Sequence, residues 1–180
     1  MIPLTKPTKN LSSSCYRTAS EKMTTKDEKY AIYLYSSPIT FPLSFALHHW
    51  FVAVSPEGTH RYEIWHKKGL KRGISADHLY KDFFWKANQG LKKGYSSASF
   101  DSTLVWFCSG NETSLAHDIG EFLEKSLKDY PFKEKYHFVP GPNCNTYVEW
   151  VLLSFPEISI SLSSRAFGKK YAKNYFSKKK

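Results

Sequence analysis

The stretch Pro140-Gly-Pro-Asn-Cys-Asn-Thr-Tyr-Val-Glu-Trp-Val-Leu-Leu-Ser-Phe155 constrains this chain more than any other. Two prolines around Gly141 force a turn, and Asn143 suits a helix N-cap because its side-chain oxygen accepts from amides of the next turn. Val148, Val151, Leu152 and Phe155 recur at helical spacing, and Pro156 ends the run. The pattern predicts a tight turn that delivers Cys144 to the start of an apolar helix. Unpaired amides and the positive end of the helix dipole favour an anion there, as a nucleophilic thiolate requires. Position alone equally suits a small residue filling a turn. Chemistry needs a base, and the sequence offers one far upstream in His48-His49-Trp50.

At 180 residues the chain can bury a proper core as one domain. Its three cysteines, Cys15, Cys108 and Cys144, make neither a paired framework nor a zinc pattern. That suits a reducing compartment and calls for no metal or organic cofactor. Residues 1–29, rich in Ser, Thr and Lys, read as a disordered leader that lacks the apolar segment of a secretory signal. Pro38, Pro42, His48 and His49 interrupt the next apolar stretch, so no transmembrane segment is expected. The expected setting is cytoplasmic, or export by a route without an N-terminal signal. The net charge of +10 is uneven: the last twelve residues carry six lysines and no acid. Residues 169–180 therefore read as a solvated, frayed basic tail with a weak attraction to anionic surfaces. No motif supports specific binding of nucleic acid.

Residues 30–168 form the expected single domain. Tyr30 to Tyr35 is a β-prone run. His48 to Val54 and Thr59 to His66 flank Ser55-Pro-Glu-Gly58 as a hairpin. Ala76 to Lys86 reads as a short amphipathic helix with Leu79, Phe83 and Phe84 on one side, and Thr103 to Cys108 as a buried strand. Leu115, Ile119, Phe122, Leu123 and Leu127 make a helical stripe that Asn111 would cap and Pro131 stops. Lys135 to Val139 reads as a strand leading into the cysteine turn, and Ile158 to Leu162 as an extended piece. The sum is an α+β chain, with a small antiparallel sheet packed against two or three helices.

A cysteine nucleophile needs a base within reach and a polar group to orient that base. His48 and His49 point to opposite faces of their strand, so only one can serve. Pairing Val54 with Thr59 would place Glu63 on the face of His48 and Trp50; a slip of one residue would favour His49 instead. His60, His66, His78, His117 and His137 read as structural or surface residues, and no metal-ligand spacing includes them. A different class of function is open as well: a non-catalytic binding module whose groove is lined by rings such as Trp50, Tyr62 and Trp150.

The same residues carry a resemblance. His49-Trp-Phe-Val-Ala-Val54 early and Asn143-Cys-Asn-Thr-Tyr-Val148 at a late helix start resemble circularly permuted papain-like proteins, among them the lecithin retinol acyltransferase group. The chain is also similar to an uncharacterised bacterial domain family marked by Pro-Gly-Pro-Asn-[Ser/Cys]-Asn-Thr, here Pro140 to Thr146, with His48-x-Trp50, Tyr62-Glu63 and Ala166-Phe-Gly-Lys169 as further elements. The resemblance spans residues 31–172. It implies a permuted papain-like fold with Cys144 as nucleophile, His48 or His49 as base and Glu63 as orienting group. The implied substrate is a small molecule, lipid or peptide carrying an ester, thioester or amide.

Overall fold

A computed structural model describes residues 15–16, 28–40, 42–84, 87–90 and 102–178. Its strands are β1 (Cys15–Tyr16), β2 (Tyr30–Pro38), β3 (Leu47–Ser55), β4 (Gly58–Ile64), β5 (Ile74–Ala76), β6 (Leu79–Lys81) and β7 (Thr103–Gly110). They form one sheet in the order β1-β7-β2-β3-β4-β6-β5, and every neighbouring pair is antiparallel. The helices are α1 (Leu115–Asp129), α2 (Cys144–Ser154) and α3 (Lys169–Ser177). The chain is α+β.

Alternation along the strands divides the sheet into two faces. Ile32, Leu34, Phe51, Ala53, Tyr62, Ile64 and Trp106 form the core with Ile119 and Leu123 of α1 and Tyr147, Val148 and Val151 of α2. Burying each large side chain of this set contributes about 1.5–3 kcal/mol. The opposite face of β2, β3 and β4 carries Tyr35, Trp50, Arg61 and Glu63, with Tyr35 stacked on Trp50 at 5.8 Å between centroids. Rings tie α1 to α2: Phe122 lies 4.7 Å from Trp150, and Tyr130 lies 5.1 Å from Tyr147. Every residue from Cys144 to Leu152 is buried, the polar Asn145, Thr146 and Glu149 included.

The hairpin has the expected register, Val54 opposite Thr59 and Phe51 opposite Tyr62. Asn143 caps α2 as expected, accepting from the amides of Asn145 and Thr146, while Thr146 Oγ1 accepts from the Asn143 amide. Pro140 and Pro142 both follow cis peptide bonds. Gly168 has φ +94°, and a Cβ there would overlap the Asn143 carboxamide, so the chain passes the cap only as glycine.

Four expectations need correction. Ala76 to Lys86 is no helix. Ala76 ends β5, Asp77 at φ +57° lies in the turn, and Leu79–Lys81 is β6, which pairs with β4 and carries β5 at the sheet edge; residues 85–86 lie outside the described residues. Ser114, not Asn111, caps α1 by accepting from His117 N, and Asn111 instead accepts from Thr113 one turn earlier. Lys135 to Val139 forms no strand, because its amides bond within the loop, Lys135 N to Phe132 O and His137 N to Pro142 O. Of the lysine-rich end, residues 179–180 lie outside the described residues, and Lys169–Ser177 is no frayed tail. It forms α3, with Ala172 fully buried, Tyr171 5.2 Å from Phe132, and Lys173 Nζ 3.2 Å from Glu149. Of the expected leader, residues 1–14 and 17–27 lie outside the described residues, whereas Cys15–Tyr16 pairs with β7. Among the described residues no helix is long and apolar enough to cross a membrane.

Candidate functional site

The start of α2 meets the start of β3. Asn145 makes the join: its Nδ2 donates to the carbonyls of Leu47 and Phe167, both at 2.9 Å, and its Oδ1 accepts from His49 Nδ1 at 2.7 Å. The hydrogen bond to the Asn145 amide oxygen would by itself raise His49, but burial outweighs it. Burial drives it down to about 4, with the nearby charges of His48 and Lys169 adding to the fall. His49 is therefore a neutral strut between β3 and α2.

His48, on the other face of β3, has the opposite surroundings. Its Nε2 donates to Glu63 Oε2 at 2.8 Å, and the Cys144 side chain neighbours the ring. Trp50 stacks on it at 5.6 Å and Trp65 meets it edge-on at 6.0 Å, so the ring is held on both sides. Burial alone would lower His48. The charge and hydrogen bond of Cys144, followed by those of Glu63, outweigh it and push the imidazole up to about 9. Burial would raise Glu63, yet the Arg61 guanidinium and His48 together hold its carboxyl below the ordinary range. Cys144, His48 and Glu63 thus form one connected buried set, with Cys144 3 % exposed. The Tyr136 hydroxyl, raised mainly by burial, feels the Cys144 charge from the loop before α2.

Of the four residues singled out in the sequence, three come together and His49 stands apart. Asn145 N is committed to the Asn143 cap at 3.0 Å. Among the described residues, the Cys144 amide is thus the one at this helix start without an acceptor. Two residues went unnoticed in the sequence. Asn145 carries no cue to a partner on β3. Arg61 did carry one, since Arg-x-Glu on a strand puts both charges on one face. Trp50, Tyr62 and Trp150 are buried in packing. A cavity of about 360 Å³ bounded by Thr59, Arg72, Asp82, Phe83, Phe84 and Ala87 lies elsewhere, and Cys144 is not in its wall. Among the described residues no three His, Cys, Asp or Glu side chains group as a metal site; His60 pairs with Asp82 alone at 2.7 Å.

A family model described as "Protein of unknown function (DUF3750)" matches residues 29–171. No curated protein and no solved structure matches the chain.

Proposed function

We propose that this chain, which belongs to the DUF3750 family of proteins of unknown function, is a cysteine-dependent hydrolase or acyltransferase acting on an ester, thioester or amide. One observation carries the reading: a cysteine at a capped helix start neighbours His48, whose Nε2 is held by Glu63. Nucleophile, base and orienting group are the parts acyl transfer needs. The Cys144 sulfur attacks the carbonyl carbon, and the π-pair moves to oxygen, where the Cys144 amide donates to it. As the oxyanion collapses, the leaving group departs with the proton held by His48, and an acyl thioester remains on Cys144. Water or an acceptor hydroxyl or amine then attacks while His48 takes its proton, and the thiolate leaves. The order of histidine strand first and cysteine helix last supports a permuted papain-like assignment. The substrate class fitting this chemistry is a small molecule, lipid or peptide bearing an acyl bond.

The test is alkylation of Cys144 by iodoacetamide, followed by mass spectrometry. At pH 6 the site is expected to react about tenfold or more faster than a simple thiol such as glutathione. Equal rates sink the reading. A second reading, a non-catalytic binding module, draws on the 3 % exposure of Cys144. Under it Cys144 stays unlabelled until the protein is denatured, and Cys144→Ala leaves ligand binding intact.

A further inference from the structure

Arg61 is one of the largest side chains to be fully buried, at 1 % exposure. Its Nη2 donates to Glu63 Oε2 at 2.8 Å, and its Nη1 donates to the Gln89 carbonyl at 2.6 Å. The guanidinium carbon lies 4.2 Å from the Trp50 ring centre and 4.5 Å from that of Phe84, so the group is sandwiched. Trp50 Nε1 donates to the Ala87 carbonyl at 2.8 Å, fixing one wall of the sandwich to the segment that also holds Arg61. Stability alone does not account for this arrangement. A buried ion pair is often no better for the fold than apolar side chains of similar volume.

We propose that Arg61 is a positioning residue of this site: it presents Glu63 to His48 and supplies the fourth charge that balances Cys144, His48 and Glu63. The inference rests on the thiol reading above. Thiolate, imidazolium, carboxylate and guanidinium sum to zero, which is how four ionised groups can share a dry site. The other titratable groups facing the set are His49 on β3, itself uncharged, Tyr130 at the end of α1, Tyr136 from the loop before α2, and Lys169 of α3 beyond His49. None of them replaces the cation.

Charge balance fixes the sign. Removing a buried positive charge makes each remaining group hold its proton to higher pH. In Arg61→Met the His48 midpoint therefore moves upward from about 9. Alkylation of Cys144 at pH 6, which needs the thiolate, falls about tenfold or more. A purely structural Arg61 gives the opposite result: a loosened site releases His48 from its partners, and its midpoint drifts back towards 6.5.

The experiment follows His48 by carbon-13 NMR of its ring from pH 5 to 11, with Cys144 alkylation and thermal melting, in the wild type, R61M and R61K. The proposal expects an upward midpoint shift and at least a tenfold slower reaction at pH 6 in R61M, with R61K recovering most of both. A folded R61M whose His48 midpoint is unchanged or lowered overturns it. Should R61M lack a cooperative melt, Arg61→Gln, which keeps donors for the segment around Gln89, is read in the same way; unfolding of both variants makes Arg61 structural and also overturns the proposal. If wild-type Cys144 reacts no faster than glutathione, the acyl-transfer reading falls, while the His48 titration still decides the role of Arg61.

Discussion

Acidification should weaken this fold through one imidazole. His49 is held neutral to about 4, against 6.5 for an ordinary histidine. The unfolded chain thus binds a proton at His49 that the folded chain refuses, and stability rises with pH between those two values. The full effect is present above 6.5 and is lost as pH falls to about 4. Two and a half units at about 1.36 kcal/mol each give a loss of about 3 kcal/mol at pH 4 and about 2 kcal/mol at pH 5. Small domains are stable by about 5–15 kcal/mol, so the effect is measurable. His48 adds no pH dependence below 6.5, where it is protonated whether the chain is folded or unfolded; its contribution is fully present there and is lost on the alkaline side, up to about 9. His66, also lowered, mainly by burial and then by Lys67 and His78 rather than by His49, acts alike in both proteins compared. The assay is urea unfolding followed by tryptophan fluorescence at pH 7, 6 and 5, in the wild type and in His49→Asn, whose amide reproduces the Nδ1–H donor. The wild type should lose roughly 2 kcal/mol more than the variant over that range. Parallel decline of the two proteins would refute the protonation assigned to His49.

Asn145→Ala removes three hydrogen bonds at once and leaves His49 Nδ1–H and the Leu47 carbonyl unpaired inside the protein. Unfolding free energy should drop by about 3 kcal/mol or more, measured by denaturant titration; a change under about 1 kcal/mol would show that the join between β3 and α2 is not made there. Ala172→Asp places a carboxylate at a position of α3 with no exposure. It should cost several kcal/mol and lower the melting temperature strongly, whereas a solvated tail predicts almost no change.

Where the sequence was legible, local chemistry and tertiary structure agreed. Asn143 caps α2 because the turn residues and the apolar stripe indicate the same helix start. The pairing of Val54 with Thr59 follows from a loop of two residues between Ser55 and Gly58. The misread segment at Ala76 to Lys86 shows what periodicity leaves open. Leu79 and Phe83 are four residues apart, and four is compatible with one helix face and with one strand face alike. A sheet that needed a partner for β4 decided the matter. At the C-terminal end the lysines obscured a real signal: Tyr171, Ala172, Tyr175 and Phe176 recur as neighbouring pairs four residues apart, which is a helix face. Asn145 left no signal at all, since its partners on β3 are remote in sequence.

The two adjacent histidines show how much of the chemistry is set by geometry rather than composition. They share a strand, near-complete burial and the same helix start, yet one is raised to about 9 and the other lowered to about 4. Burial lowers both, so burial cannot separate them. What differs is the face: alternation turns His48 towards a thiol and a carboxylate, and His49 towards a neutral amide. Their roles are therefore fixed by the register of the hairpin, through the short loop that pairs Ser55 with Gly58. A register displaced by one residue would bring Tyr62 or Ile64 to the place of Glu63, and His48 would face no anion from β4. The anion that His48 meets is thus chosen by a backbone pairing many residues away from Cys144.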